Sequence, residues 1–252
     1  MFRSRNPWKV LAAVFALAGL ALPAGARTMD VTYIGNILTG YDQFGDIGLP
    51  GPALDGLGFR LTFRYDSAIG QRSTQAGVSD QVFGGWGLGA ASPLLSTTLT
   101  MGGHSLSFGG SYGSGIVNDS YAGTFLAVGF GLAQPLTTRF AAQASERTTD
   151  ALTGILTSSV IHATCSGPAT AFPAPNIETG FTMTACDPGE AGGILLFRAG
   201  PSGGLLSNIA AGLSIREMVV SEVAPAPVPL PAAGGMLLLA LGVVAVRRRR
   251  AA

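Results

Sequence analysis

The sequence predicts an all-β protein: an antiparallel β-sandwich or jelly-roll-like body, preceded by a signal peptide and followed by one short C-terminal transmembrane helix. Three observations lead there. The 252 residues include 37 glycines, about twice the usual share of ~7 %. Charged residues are only 12 % of the chain, about half the usual ~25 %. Between Leu57 and Asp66, apolar Leu57, Phe59, Leu61, Phe63 and Tyr65 alternate with Gly58, Arg60, Thr62 and Arg64. That period of two is the signature of a half-buried strand.

From the amino terminus, residues 1–26 have the pattern of a secretory signal peptide. Arg3, Arg5 and Lys9 form a positive first region, and residues 10–22 form an apolar core of thirteen residues. Ala24-Gly25-Ala26 fits the small-residue cleavage pattern, which places the cut after Ala26. No cysteine stands at that site, so a lipoprotein signal is excluded.

The exported body is expected to span residues 27–223. A β-branched and aromatic run from Asp30 to Leu38 reads as its first strand. Gly40 to Pro52 follows as a turn-rich loop holding Asp42 and Asp46, and the alternating strand comes next. The Gly-Gly-Trp-Gly-Leu-Gly stretch at 84–89 reads as a flexible loop presenting Trp86. Residues 97–101 and 105–108 flank Gly102-Gly103-His104 as a hairpin. Gly123 to Leu132 has a strand's composition, and Thr137 to Thr149 is the one stretch with a helical composition. Residues 154–163, 193–199 and 205–223 read as the closing strands. An Ala-Pro-Ala-Pro linker at 224–227 ends the body.

The two cysteines, Cys165 and Cys186, lie in the exported part. In an oxidising compartment a pair reads as a disulfide, the alternative being two free buried thiols. Neither histidine lies at ligand spacing from them, which argues against zinc.

The last 25 residues combine three features: Val228-Pro229-Leu230-Pro231-Ala232, an uncharged run over 232–246, and Arg247, Arg248, Arg249 and Arg250. As a helix the run would measure about 22 Å, short of the ~30 Å hydrocarbon core. It is apolar all round, and four arginines at its end would hold that end in the cytoplasm. The arrangement resembles the PEP-CTERM class of sorting signals in its V-P-L-P-A variant, with Leu230 where the commoner form has an acidic residue. The resemblance covers about a tenth of the chain. It implies an exosortase, a membrane-embedded cysteine transpeptidase, as partner. That enzyme would cut near the proline motif and pass the body to the surface of a Gram-negative bacterium, in a system linked to exopolysaccharide and biofilm. Secretion translocon and signal peptidase would act first, and the inner membrane would hold the protein only transiently. The block from Asp30 to Asp66, with Gly40, Asp42, Phe44 and Gly45 in its loop, also resembles the start of many PEP-CTERM proteins. That likeness supports a β-sandwich and assigns no activity.

Seven of the fifteen basic residues lie in the two targeting segments. The body keeps eight arginines against fourteen carboxylates, a net charge of about −6, and no lysine. An acidic domain without a basic patch is a poor nucleic-acid binder.

Catalytic readings find little support. Gly109-Gly110-Ser111-Tyr112-Gly113 matches G-x-S-x-G, with Asp119 or Asp150 and then His162 in hydrolase order. A second match at 200–204 shows how readily this composition generates the pattern. Neither match sits between a parallel strand and a helix, the context that makes such a serine reactive. No pair among the fourteen acids is singled out for glycoside cleavage, and the chain carries no P-loop, dinucleotide fingerprint or zinc motif, so no cofactor is expected. Asp42, Asp46, Asp55 and Asp66 could offer oxygens to Ca²⁺, but aspartate is also a favoured turn residue, and EF-hand spacing is absent. The leading expectation is a non-enzymatic surface or matrix protein. A carbohydrate-binding module using Trp86, or a Ca²⁺-binding one, stands second, and an extracellular hydrolase third.

Overall fold

The computed structural model describes residues 27–45, 53–121, 137–168, 175–187, 191–200, 202 and 204–224. The signal peptide with Ala24 and Ala26 lies outside them, as do Asp46, the strand expected at 123–132 and most of the linker. The sorting motif Val228 to Ala232, the apolar run and the arginine cluster also fall outside.

The described residues form one antiparallel sheet of twelve strands. In chain order they are β1 (Thr28–Asp42), β2 (Gly58–Asp66), β3 (Gln71–Gln75), β4 (Ser79–Gly84), β5 (Leu94–Met101) and β6 (His104–Phe108). Then come β7 (Gly113–Tyr121), β8 (Thr137–Thr149), β9 (Leu156–Pro168), β10 (Phe181–Met183), β11 (Ala191–Ala199) and β12 (Leu205–Glu222). Across the sheet the order is β3-β4-β7-β8-β9-β11-β12-β1-β2-β5-β6, and the short β10 adds to β12. A 3₁₀ turn, Trp86–Leu88, follows β4.

Alternation builds the core. On β2, Phe59, Leu61, Phe63 and Tyr65 are buried, as the sequence predicts, while Arg60 and Arg64 face out. On β1, Met29, Val31, Tyr33 and Ile37 are buried, and the register shifts after Ile34 and after Ile37. Such irregularities sharpen local twist and bend a strand. The sheet curls until its inner face packs on itself. Tyr33 on β1 donates its hydroxyl to the carbonyl of Phe140 on β8 at 3.2 Å, although four strand-to-strand steps separate them within the sheet. Between these surfaces sit Phe63, Leu61, Leu99, Ile161 and Leu213, all inaccessible to solvent.

The stretch 137–149 is a strand and not a helix. Its Ala, Gln, Glu and Arg content favours a helix locally. Phe140, Ala142 and Ala144 nevertheless alternate into the core, and β8 pairs along its whole length with β9 and along nine residues with β7. Tertiary pairing overrides a weak propensity here. The hairpin at Gly102-Gly103 is present as expected, its strands extending to Leu94–Met101 and His104–Phe108.

Cys165 on β9 and Cys186, just past β10, form a disulfide with their Cα atoms 5.1 Å apart. The bond ties the segment around β10 to the body of the sheet. The first and last strands are neighbours: β1 and β12 pair from Met29 opposite Glu222 to Asp42 opposite Ile209. Beyond them, the Val223 amide donates to the Thr28 carbonyl at 2.8 Å. Both ends of the body therefore leave it at one place.

Candidate functional site: an aromatic corner beside a polar groove

Two glycine-rich motifs that stand apart in the sequence, residues 84–89 and 109–113, meet where β4 pairs with β7. The first is not a flexible loop. Gly85 and Ala90 exchange backbone hydrogen bonds, Trp86 donates its amide to the Ser111 carbonyl at 2.9 Å, and Gly87 donates to the Tyr112 carbonyl at 3.0 Å. Glycine is required at Gly85, where φ is 122° and an added Cβ would lie 2.5 Å from the Tyr112 oxygen. At Gly84 a Cβ would lie 1.8 Å from the Ala91 oxygen. Backbone contact this close is what the Gly-Gly pair permits.

Strand β8 holds the second motif from the other side. The Glu146 carboxylate accepts from the Gly109 amide at 3.0 Å, the Ser145 carbonyl from the Tyr112 amide at 3.2 Å, and the Gly113 carbonyl from the Ser145 hydroxyl at 2.9 Å. Trp86 and Tyr112 are thereby fixed with ring centroids 4.7 Å apart and planes at 82°, forming a corner. Edge-to-face contact is a favoured aromatic geometry. Yet Trp86 remains 64 % exposed, Tyr112 38 %, and neighbouring Leu88 is also exposed.

Tyr112 also lines a groove of about 340 Å³ running onto β8 and β9. Gln143, Glu146, Arg147 and Ser158 supply polar groups there, and Val160 an apolar one. The volume is at the small end of the ~300–1,000 Å³ typical of ligand sites. An aromatic wall beside a few hydrogen-bonding groups is suited to a ligand with one apolar face and many hydroxyls.

A second polar cluster lies near the β3 edge. Asp80 on β4 is almost wholly buried and accepts from Arg72 Nε at 3.0 Å, Arg72 Nη2 at 2.8 Å, Thr74 Oγ1 at 3.0 Å and the Ile177 amide at 3.0 Å. Burial works to raise the Asp80 pKa, but the hydrogen bonds from Arg72, Ile177 and Thr74 outweigh it and lower the value. Arg72 also pairs with Glu178, and Tyr65 donates its hydroxyl to the Ile177 carbonyl. These contacts seat Ile177 in the core, so the cluster is a latch on the 175–179 segment.

The other candidate residues are dispersed. Ser111 offers its carbonyl to Trp86, while His162 lies two strands away on β9 against Gly193, and His104 is on β6. Among the described residues no hydrogen bond joins Ser111 to either histidine. Asp150 accepts from the Leu152 and Thr153 amides in its own turn, which lowers its pKa, and Asp119 is on β7. Asp42, Asp55 and Asp66 accept from the amides of Phe44, Gly40 and Ala68. Asp42 and Asp66 thus bond within their own turns, and Asp55 ties its loop to β1. Among the described residues no group of three His, Cys, Asp or Glu side chains is placed to hold a metal ion.

Comparison with protein-family models, curated proteins and solved structures finds no match for the chain.

Proposed function

We propose that the chain is an exported, non-enzymatic protein of the cell surface or extracellular matrix, delivered by the sorting signal at residues 228–252. The observation that carries this reading is the pairing of β1 with β12. A body whose first and last strands are hydrogen-bonded neighbours presents residues 27 and 224 at the same place. The signal peptide before its cleavage, and the tail behind, would then meet the membrane at one pole of the body, and after cleavage the tail alone would hold it there. Seven residues, 225–231, separate the last described residue from the end of the proline motif and span at most about 25 Å. A cut near Pro231 by a membrane-embedded transpeptidase spares β12 and every core residue among those described. The disulfide is in keeping with folding in an oxidising compartment. In this reading the curled sheet acts as a sandwich-like module, its two halves facing across the core, with a structural or adhesive role.

The test is replacement of Pro229 and Pro231 by alanine in a host with an exosortase. Retention of the variant in the inner membrane, with wild type released to the surface, is the expected outcome. Equal release of both would overturn the sorting assignment.

A further inference from the structure

We infer that the Trp86–Tyr112 corner and the groove beside it form a binding site for a pyranose polysaccharide whose sugars carry equatorial substituents. The inference rests on the adhesive reading above and gives it a ligand class. Three observations carry it. First, a tryptophan on a β-protein surface is ordinarily covered, yet Trp86 is 64 % exposed on a turn hydrogen-bonded at both ends. Its exposure is built by the backbone and is not slack. Second, the partner ring stands at 82° to it, so a flat ligand stacked on one ring abuts the other. An equatorially substituted pyranose has such a shape, an apolar face of axial C–H bonds with hydroxyls around the rim. Third, the groove continuing from Tyr112 offers Gln143, Arg147 and Ser158 as donors and acceptors for those hydroxyls. It runs from Tyr112, just before β7, across β8 to β9, and with strands ~4.8 Å apart it is about 10 Å long, room for two sugar units beyond the stacked one.

The fold places two independent supports under this corner. Glu146 and Ser145 hold the Tyr112 loop, and the Ser111 and Tyr112 carbonyls hold the Trp86 turn. Preorganised rings of this kind lose little freedom on binding.

The sequence itself supplies a probe. The chain has only two tryptophans, Trp8 in the signal region and Trp86. Full-length Trp8→Phe protein in mild detergent therefore reports on Trp86 alone by intrinsic fluorescence. Titration with cello-oligosaccharides and chito-oligosaccharides of two to six units is expected to shift or quench the emission saturably. Affinity should rise with length up to about three units and then level. Maltohexaose, whose axial linkages bend the chain, is expected to bind at least about tenfold more weakly. Binding is followed in parallel by calorimetry so that Trp86→Ala can be read. That variant is expected to lose measurable binding, and Tyr112→Ala to weaken it about tenfold, with unfolding curves showing that both remain folded. No response to either series from folded protein, or maltohexaose binding as tightly as they do, would overturn the inference. So would equal binding by Trp86→Ala. Surface sorting is measured separately, so its failure would leave this result standing and the reverse also holds.

Discussion

Replacing Asp80 by alanine should be among the most damaging single changes outside the apolar core. The side chain is 2 % exposed and accepts four hydrogen bonds, two of them from Arg72 and one from the Ile177 amide. Removing one partner of a buried ion pair commonly costs about 3–5 kcal/mol. Arg72 is about one-third exposed and keeps Glu178, so part of its loss is recovered from water and from that carboxylate. The Ile177 amide has no such recourse, and an orphaned buried donor costs about 1–3 kcal/mol. Together these give an expected loss of about 2–4 kcal/mol, read as a lower midpoint in urea denaturation at pH 7 with an unchanged slope. The pH dependence has a definite sign. Because the folded-state pKa of Asp80 is lowered, its stabilisation is fully present above the unfolded value of about 3.9 and disappears as pH falls through the folded value. Wild type should therefore lose this increment below about pH 4, and the variant should have none to lose. A loss under about 1 kcal/mol, or an acid limb identical in both proteins, would refute the latch.

Two further tests concern the core. Reducing the Cys165–Cys186 bond, or replacing both cysteines by serine, opens a loop with a sequence separation of 21 and should lower stability by about 3 kcal/mol, measured by denaturation with and without reductant. The phenols of Tyr33 and Tyr65 have raised pKa values, in each case chiefly from burial. An alkaline spectrophotometric titration should show them ionising only as the protein unfolds, and early ionisation of all five tyrosines would contradict their burial.

Strands with one buried face were legible in the sequence. Leu57 to Asp66 alternates cleanly and becomes β2 with one residue trimmed. β3 gave no such signal, because Gln71–Gln75 is exposed throughout and buries no face. As a short polar strand with an arginine, it suits the sheet edge it occupies. β8 misled because its core-facing side is carried by one phenylalanine and two alanines, residues that mark a helix as readily as a strand. The site was half visible. Trp86 stood out among glycines, but Tyr112 is 26 positions away and joins it only through the β4–β7 pairing. The one available clue was that both aromatics sit inside glycine-rich motifs, where backbones can approach closely. Asp80 was hidden for another reason: a buried carboxylate is defined by Arg72 and by Ile177, 97 residues away, and not by its own neighbours.

Export and sorting are tested most directly by the intact mass of protein recovered from the outside of the cell. Export and sorting as proposed give an N-terminus at Arg27, a C-terminus close to Pro231 and the Cys165–Cys186 bond in place. Surface material that still carries Arg247 to Arg250 would contradict it.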